Sequence, residues 1–498
     1  MTTENIARGL KENADLSVPL VCDVVVAGAG LSGLVAAAIL ARHGKSVVVV
    51  DGADLIGGRA GSAPHRGFWL DGGLRDGRDV GDLQVGWRYG QLAAKEADVT
   101  VPLRPVEPRV RVHQLADDGI VAAAQVTAGN WGAGGFVKMA RDVFGCSEQR
   151  LPDLINVLAR LGSADAAERR AAIPERLGDW LQREVADAEV RNAILTMTRV
   201  IFCESATQAS VGRLMAFFAR RDDLPELQTA YADHSTVGGV QGLIVPFAEA
   251  IEERGGRILS GFAPLRVLFE GDRAVGMVAL NQAQLIVEVR AADTIIAHPV
   301  WQALELLPTA KIDAGLAEMA AALKAASADA VCWQAGLRRV PRLRSTGDLD
   351  DHVGWNRVLI GEDKRYNGGY HLPSLGSRAS APEGEHLLHA FVGRWLAGDP
   401  EDDWPTMRAR VDLIVEHLRA YYLDFDDCVL WSAYQYLSAP AFLSWYWAPV
   451  PRHGVRAPGL ESLFLAGTTI ESDAGPIDIA AHAGLEAALA ILGRPPVG

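Results

Sequence analysis

Runs of apolar residues and helical spacing divide the chain into recognisable pieces. CDVVVAGAG (22–30) is a short apolar run closing on glycines, the pattern of a strand buried on both faces. LSGLVAAAILARHG (31–44) is apolar nearly all round and stops at Gly44, as a buried helix does. KSVVVVDGA (45–53) repeats the strand pattern. Strand, helix and strand in about 30 residues predict a βαβ unit with parallel strands. Helical spacing returns at 174–202, 211–221 and 240–256, and alternating strands run from Arg257 to His298. Turn-rich joints at RSTGDLDD (344–351) and AGDPEDDWP (397–405) punctuate a second mixed region from about 300 to 455. ESLFLAGTTIESDAGPIDIAAHAGLEAALAIL (461–492) closes the chain as a buried strand, a Gly-containing loop and an apolar helix.

Nucleotide-fold-like segments therefore occur at the start, the middle and the end. The fold class expected is α/β with α+β: a discontinuous Rossmann-like domain from residues 1–110, 235–300 and 455–498. An interleaved domain of mixed sheet plus helices takes 111–234 and 301–454, with 110–235 showing only helical rhythm.

Composition narrows the function classes. The 498 residues are 49% hydrophobic and 22% charged, with a formal net charge of −14. That balance argues against a nucleic-acid partner, which needs clustered Lys and Arg. It also argues against docking on anionic lipid by charge. MTTENIARGLKENADLSVPL has no apolar core of a secretion signal, and no apolar run approaches the ~20 residues of a transmembrane helix. Five scattered cysteines with no CxxC pair fit reduced thiols, and the location expected is cytoplasmic.

Gly28, Gly30 and Gly33 form a GxGxxG between the first strand and the first helix. Alone the motif also suits a purely structural glycine cluster. Asp51, 23 positions after Gly28 at the end of the second strand, adds the offset expected of a ribose-binding acid. The first Gly permits the turn, the second admits a pyrophosphate to the backbone, and the third lets helix and strand approach. Leu31 and Ser32 then open a helix whose free N–H groups face the phosphate.

The motif does not choose between NAD and FAD. Downstream, Gly57-Gly58-Arg59-Ala60 is followed by Gly67-Phe68-Trp69-Leu70-Asp71-Gly72-Gly73. A GGR after the ribose acid, then GF-x-x-DGG, resembles the FAD-binding amine oxidase and phytoene desaturase superfamily. VGGVQGLIVPFAEAIEERGGRI (237–258) and the C-terminal LFLAGTTIESDAGPIDIAAHAGLEAA resemble its other cofactor blocks. The resemblance implies FAD, bound without a covalent link, since no cysteine lies in the C-terminal block. It implies cofactor roles for Gly28, Gly30, Leu31, Ser32, Gly33, Asp51, Gly52, Gly58, Arg59 and Ala60. Gly72, Gly73 and Leu74 would pass beside the isoalloxazine ring, and a backbone contact at Val267 would serve the adenine side. Gly467, Thr468, Pro476, Ile477 and Asp478 would meet the ribityl and flavin end. Thr468 stands where many amine oxidases carry an acid. HLPSLGSRASAPEGEHLLHAF (371–391) likewise resembles a strand pair of the phytoene desaturase and carotenoid isomerase-like branch.

Other constellations are weaker. His386 and His389 form an HxxH, which in a strand puts the rings on opposite faces, so no metal is expected. A G-x-S-x-G elbow and a second strand–GxGxxG–helix unit are absent, leaving no anchor for hydrolase chemistry or a dedicated NAD(P)H domain. Trp445 and Tyr446, with Arg75, are candidates for the substrate pocket, set against ordinary aromatic packing. Tyr370 and His371 are further candidates whose position nothing in the sequence fixes. No catalytic acid or base is assigned. The expected activity is FAD-dependent desaturation, saturation or isomerisation at C–C bonds of an apolar small molecule, with O₂, a quinone or no external electron acceptor. The alternatives are a flavin amine oxidase releasing H₂O₂ and a binding protein like the Rab GDP-dissociation inhibitors.

Overall fold

The two valine runs lie side by side at the centre of a parallel sheet. The computed structural model describes residues 18–72, 87–106, 109–116, 119–127, 139–202, 206–219, 229–327, 330–360, 366–393, 404–437, 448–472, 474 and 477–497. In chain order its strands begin with β1 (Leu20–Ala27), β2 (Val47–Asp51), β3 (Ser62–His65), β4 (Phe68–Asp71), β5 (Leu103–Val106), β6 (Arg109–Ala116) and β7 (Gly119–Thr127). They continue with β8 (Thr229–Ala232), β9 (Arg257–Ser260), β10 (Phe262–Glu270), β11 (Arg273–Asn281), β12 (Ile286–Ile296) and β13 (Ala330–Leu337). The last are β14 (Gly354–Ile360), β15 (Tyr366–His371), β16 (His386–Gly393), β17 (Val429–Leu437) and β18 (Leu463–Leu465). The helices that frame the site are α1 (Leu31–Arg42), α2 (Arg88–Ala97), α3 (Gln241–Glu253), α4 (Trp404–Tyr421) and α5 (Asp478–Ile491).

The first sheet runs β10-β11-β12-β1-β2-β9, with β18 added on β12. Its core, β9-β2-β1-β12-β18, is parallel throughout. β12 is long enough to serve twice: Val289–Ile296 pair with β1, and Ile286–Arg290 pair antiparallel with β11. Val24–Val26 of β1 and Val47–Val50 of β2 are buried because α1 and α3 pack on this sheet, with α5 packed against α1. Segments from both ends and the middle of the chain thus share one sheet, as non-local apolar runs require when none can bury itself alone.

The second sheet runs β17-β13-β16-β15-β14-β6-β7 and is antiparallel except between β14 and β6. Here the reading of 110–235 as helical rhythm needs correction. Its first part is the β6–β7 hairpin, and β6 starts at Arg109, so a division at 110/111 cuts a strand. Helix follows from 139 onward among the described residues, first at 139–142 and then at 151–163, 166–171, 177–184, 188–202 and 211–218. β6 does alternate polar and apolar residues from Arg109 to His113, but its polar side is not solvent-facing: Arg111 and His113 are buried, like Val112.

Those polar residues lie on the side of the sheet covered by α4. Arg111 binds Asp350 through both guanidinium Nη atoms at 3.0 and 3.2 Å, and the Tyr422 hydroxyl donates to Asp350 at 2.7 Å. Burial pushes the Asp350 carboxyl up, but the Arg111 charge and hydrogen bonds outweigh it and hold it below its ordinary value. His113 and His417 stack edge to face with ring centroids 4.8 Å apart. Burial pushes their imidazoles down to about 3 and about 4, so both are neutral in the folded protein at pH 7. Neither ring nitrogen of His417 has a hydrogen-bond partner among the described residues.

This layer gives stability a pH dependence of definite sign. A histidine with a depressed folded pKa is paid for when the unfolded chain takes up its proton first, below pH about 6.5. Stability is therefore expected to fall as pH drops from about 6.5 towards 4, by on the order of 3 kcal/mol for His417. Denaturant unfolding of wild type and His417→Phe from pH 7 to 4 checks this. The variant should show a visibly shallower decline.

Candidate functional site

The turn between β1 and α1 leaves backbone bare. Gly28 has φ +108°, a conformation that favours glycine. A Cβ at Gly33 would stand 1.9 Å from the Gly28 carbonyl oxygen, so the third glycine lets turn and helix close on each other. At Gly30 a Cβ would meet only the Gly57 carbonyl oxygen, at 3.9 Å, so this position faces open space. Gly30 is the N-cap of α1, yet no side chain caps the helix and its first turn holds no acid. Leu31, Ser32 and Gly33 thus begin a twelve-residue helix whose leading N–H groups lack a side-chain acceptor.

Asp51 ends β2 beside this turn. Its Oδ2 accepts from the Ala29 N–H at 2.6 Å and its Oδ1 from the Ala53 N–H at 2.8 Å. Each carboxylate oxygen keeps acceptor capacity, so the group is fixed without being used up. Gly52 lies against β10, where a Cβ would come within 3.0 Å of the Ala263 side chain. Gly58, Arg59 and Ala60 form one 3₁₀ turn, joined to the first loop through a bridge between Gly30 and Gly57. Arg59 Nη2 donates to Thr468 Oγ1 at 2.6 Å. Two candidates 409 residues apart in sequence therefore touch. Burial pushes the Arg59 guanidinium down to about 10, which leaves it a cation at neutral pH.

At the C-terminal end, Gly467 is wedged on the His298 carbonyl, 1.8 Å from where a Cβ would sit. His298 flanks Gly28 as well, and its Nδ1 has no hydrogen-bond partner among the described residues. Ile477 is the N-cap of α5. The Asp478 carboxylate turns to α2, accepting from Gly90 N–H at 2.8 Å and Tyr89 N–H at 3.1 Å. Its side chain is thus buried against a neighbouring helix start.

Val267 is buried, and its backbone pairs with Met277 in the β10–β11 ladder. Two residues earlier the pairing skips Leu265, whose side chain is 50% exposed. β10 stands at the edge of its sheet and pairs only with β11 among the described residues, so its outer edge is unpaired.

Gly72 follows Asp71, a buried node that sequence reasoning left unexplained. Asp71 Oδ1 accepts from Ser62 Oγ at 2.5 Å and from the Val240 N–H at 3.1 Å. Gln241, at the start of α3, accepts from the Ser62 N–H and donates its own N–H to Ser62 Oγ, both at 3.1 Å. The GGR, DGG and VGGVQG segments are thereby tied together. The Asp71 carbonyl in turn accepts from Gln435 Nε2 at 3.0 Å, reaching across to the second sheet.

That contact identifies the sheet face opposite the first lobe. Register places Trp355, His371, His389, Gln334 and Gln435 or its neighbour Ala433 in successive strands on this face, with Phe391, Gly369 and Gly336 two residues along. A Cβ at Gly336 would strike Trp431 at 2.1 Å and Phe68 at 2.8 Å, so β4 approaches closely here. Trp355 and His371 lie 3.9 Å apart by ring centroid, and His371 and His389 5.2 Å. Tyr370 points the other way, into the α4 side with His113. His386 and His389 pair with Leu337 and Gln334 on opposite faces. Among the described residues no group of three or more His, Cys, Asp or Glu could hold a metal ion. Gly73, Leu74, Arg75, Trp445, Tyr446 and Pro476 lie outside the described residues.

With the geometry in view, the comparisons with known proteins can be placed. Residues 26–81 match the model of the NAD(P)-binding Rossmann-like domain. A flavin-containing monoamine oxidase of Mycobacterium tuberculosis is 27% identical over 252 residues, 50% of this chain and 52% of its own length. A neurosporene-forming phytoene desaturase of Cereibacter sphaeroides is 25% identical over 277 residues, 51% of this chain and 49% of its own length. Over about half its length the chain is thus similar to members of the superfamily of FAD-dependent amine oxidases and desaturases. It spans about half the length of these curated relatives. An oxidoreductase from Methanosarcina mazei shares the fold, with TM-score 0.65 and 16% identity, covering 95% of this chain and all of that one. No helix among the described residues is long and apolar enough to cross a membrane.

The superfamily's cofactor fits the residues present: an uncapped helix start, open space at Gly30, a fixed carboxylate at Asp51 and a guanidinium at Arg59 converge. Asp478 is the structural pin of this arrangement. Asp478→Ala should strip two buried N–H groups of their acceptor and cost about 2–4 kcal/mol. Asp478→Asn, which retains one carbonyl acceptor, should lose less. Denaturant midpoints of the two variants decide the order.

Proposed function

We propose that the protein is a noncovalent FAD-dependent oxidoreductase acting on C–C bonds of a largely apolar small molecule. The observation that carries the reading is the face of the second sheet turned to the first lobe. Trp355, Phe391 and Trp431 lie there beside His371, His389, Gln334 and Arg357, and no Asp or Glu stands among its described positions. An alkylammonium substrate would find no carboxylate there to offset its charge. A conjugated or hydrocarbon substrate would find flat apolar walls. The 371–391 block, which forms β15, a short helix and β16, supplies that face and carries the desaturase-like resemblance.

Bound FAD supplies a two-electron acceptor for a hydride leaving carbon. The chain's own residues bind and orient it. The α1 N-terminus and Gly30 would receive the pyrophosphate, and Asp51 a ribose hydroxyl. Arg59, steadied by Thr468, would sit on anionic oxygens, and the backbone at Val267 on the edge strand β10 would serve the adenine side. Gly72, Gly467 and the α5 start at Ile477 would line the flavin end, a helix N-terminus favouring negative charge there. The C-terminal block 461–492 has no cysteine for a thioether link.

A second reading, amine oxidation with H₂O₂ release, draws on the monoamine oxidase relative. Anaerobic mixing of flavin-loaded protein with apolar polyenes and with a panel of amines separates the two. Flavin bleaching by polyenes alone is the expected result, and bleaching by amines would sink the first reading. Gly30→Val should yield protein without yellow colour, because the new side chain fills the space left for the pyrophosphate. A variant still yellow at wild-type flavin content would refute that placement.

A further inference from the structure

Parallel strands present their carboxyl ends together, and ligands of such sheets lie outside those ends. Four neighbouring ends meet in the first sheet: β2 ends at Asp51, β1 runs into Gly28, β12 into His298 and β18 into Gly467. The ladder holds to the last residues. Ala297 N–H donates to the Ala27 carbonyl at 2.8 Å, and Ala466 N–H to the Ile296 carbonyl at 2.9 Å. Asp51, the glycine turn and Gly467 each have a place in the cofactor reading, whereas His298 has none.

The His298 main chain is fixed from both sides. Its carbonyl oxygen lies 1.8 Å from where a Gly467 Cβ would sit, and just beyond it Val300 N–H donates to Thr469 Oγ1 at 3.0 Å. The ring lies along the glycine turn, its Cε1 3.4 Å from the position of a Gly28 Cβ. The residue is half-buried. Nδ1 is enclosed and has no hydrogen-bond partner among the described residues, while Nε2 is not enclosed and no described residue takes a hydrogen bond from it. Burial pushes the imidazole below its ordinary range. The Asp51 carboxylate, the one charged group whose field it feels among the described residues, offsets this only in part. The ring is therefore neutral at pH 7. Its one hydrogen belongs on Nε2, because on Nδ1 it would be a buried donor with nothing to donate to.

We propose that His298 is a further cofactor-binding residue, whose Nε2–H donates to a phosphate oxygen of the bound dinucleotide. The proposal rests on the reading of this turn as the FAD cradle. It adds a side-chain donor on β12 to the N–H groups of α1 and to Arg59. Three observations favour a phosphate. The ring borders the turn whose uncapped helix start lacks an acceptor. Asp51 on the neighbouring strand can only accept when ionised, which suits ribose hydroxyls and leaves the anionic oxygens to donors. The ring is neutral, so it can serve a phosphate without forming an ion pair with Asp51 that would compete with the ribose.

The test uses the full chain freed of flavin and follows binding of FAD, ADP-ribose and adenosine by titration. His298→Ala should bind FAD and ADP-ribose about 10- to 100-fold more weakly, the range of one hydrogen bond to a charged oxygen. Adenosine brings no phosphate, and its affinity should not change. His298→Gln, whose amide nitrogen reaches about as far as Nε2, should keep most of the affinity. His298→Asn, which reaches only as far as Nδ1, should behave like His298→Ala. Nitrogen NMR of ¹⁵N-histidine protein, with the His298 signals assigned by their loss in His298→Gln, should show a neutral ring with hydrogen on Nε2. That Nε2 signal should move on adding ADP-ribose and stay put with adenosine. Undiminished binding by His298→Ala, an equal loss for adenosine, rescue by Asn but not Gln, or an Nε2 signal indifferent to ADP-ribose would each overturn the proposal. Cooperative unfolding of the variants confirms that they fold, and the wild-type NMR decides without them. Protein that binds ADP-ribose through His298 but never takes up FAD would defeat the oxidoreductase reading and leave this one standing. Protein that loads FAD equally well in every variant would do the reverse.

Discussion

Bare backbone at the start of α1 is the constraint on which the rest of the first lobe depends. A helix N-terminus without a side-chain cap leaves several N–H groups seeking an acceptor. Here the flanking residues keep the place open: Gly30 has no side chain, Gly28 turns away through a positive φ, and Gly33 lets α1 sit almost on the preceding carbonyl. Each neighbour then adopts the position that leaves this spot accessible. Asp51 is held by the Ala29 and Ala53 amides, and Gly57 bridges back to Gly30. The uncapped helix is a local cost that an anionic ligand would offset.

Closing the site around that spot takes segments from distant parts of the chain, and few contacts do the joining. Arg59 reaches Thr468, Asp478 caps α2, and Asp71 collects Ser62, Val240 and Gln435. These are hydrogen bonds of charged or buried groups, the kind whose loss costs more than an exposed pair gains. Most of them join distant segments within the first lobe, and the Asp71 node alone among them also reaches the facing sheet, since its carboxylate serves the first lobe and its carbonyl the second.

The first lobe was legible because its signals are local. A buried strand, three glycines and an acid at the right offset all fall between Val24 and Asp51, and the parallel pairing of β1 with β2 follows. The second sheet was legible only in parts. β6 alternates polar and apolar residues from Arg109 to His113, a pattern that predicts a solvent-facing polar side, yet Arg111 and His113 are buried. Val267 was named from the resemblance of its segment, and the skip at Leu265 is a three-dimensional fact with no mark in the sequence. Tyr370 and His371 looked equivalent in sequence, yet the pleat sends one under α4 and the other towards the first lobe.

His389 shows why such a site resists reading in one dimension. In sequence it belongs to an HxxH whose obvious suggestion is a metal, and the strand defeats that suggestion by separating the rings. What gives His389 a defined chemical state is two glutamines on β13 and β17: Gln334 lies 55 residues from His389 and 101 from Gln435 along the chain. Neither glutamine sits in any motif. Their effect comes from direction: a carbonyl that can only accept fixes one amide, that amide fixes the next, and the second fixes the imidazole. A side chain held this way differs from a merely buried histidine such as His417, whose nitrogens meet no partner among the described residues and whose neutrality comes from burial alone. The same residue type therefore does two jobs on the two faces of one sheet, and the hydrogen-bond partner, not the burial, tells them apart.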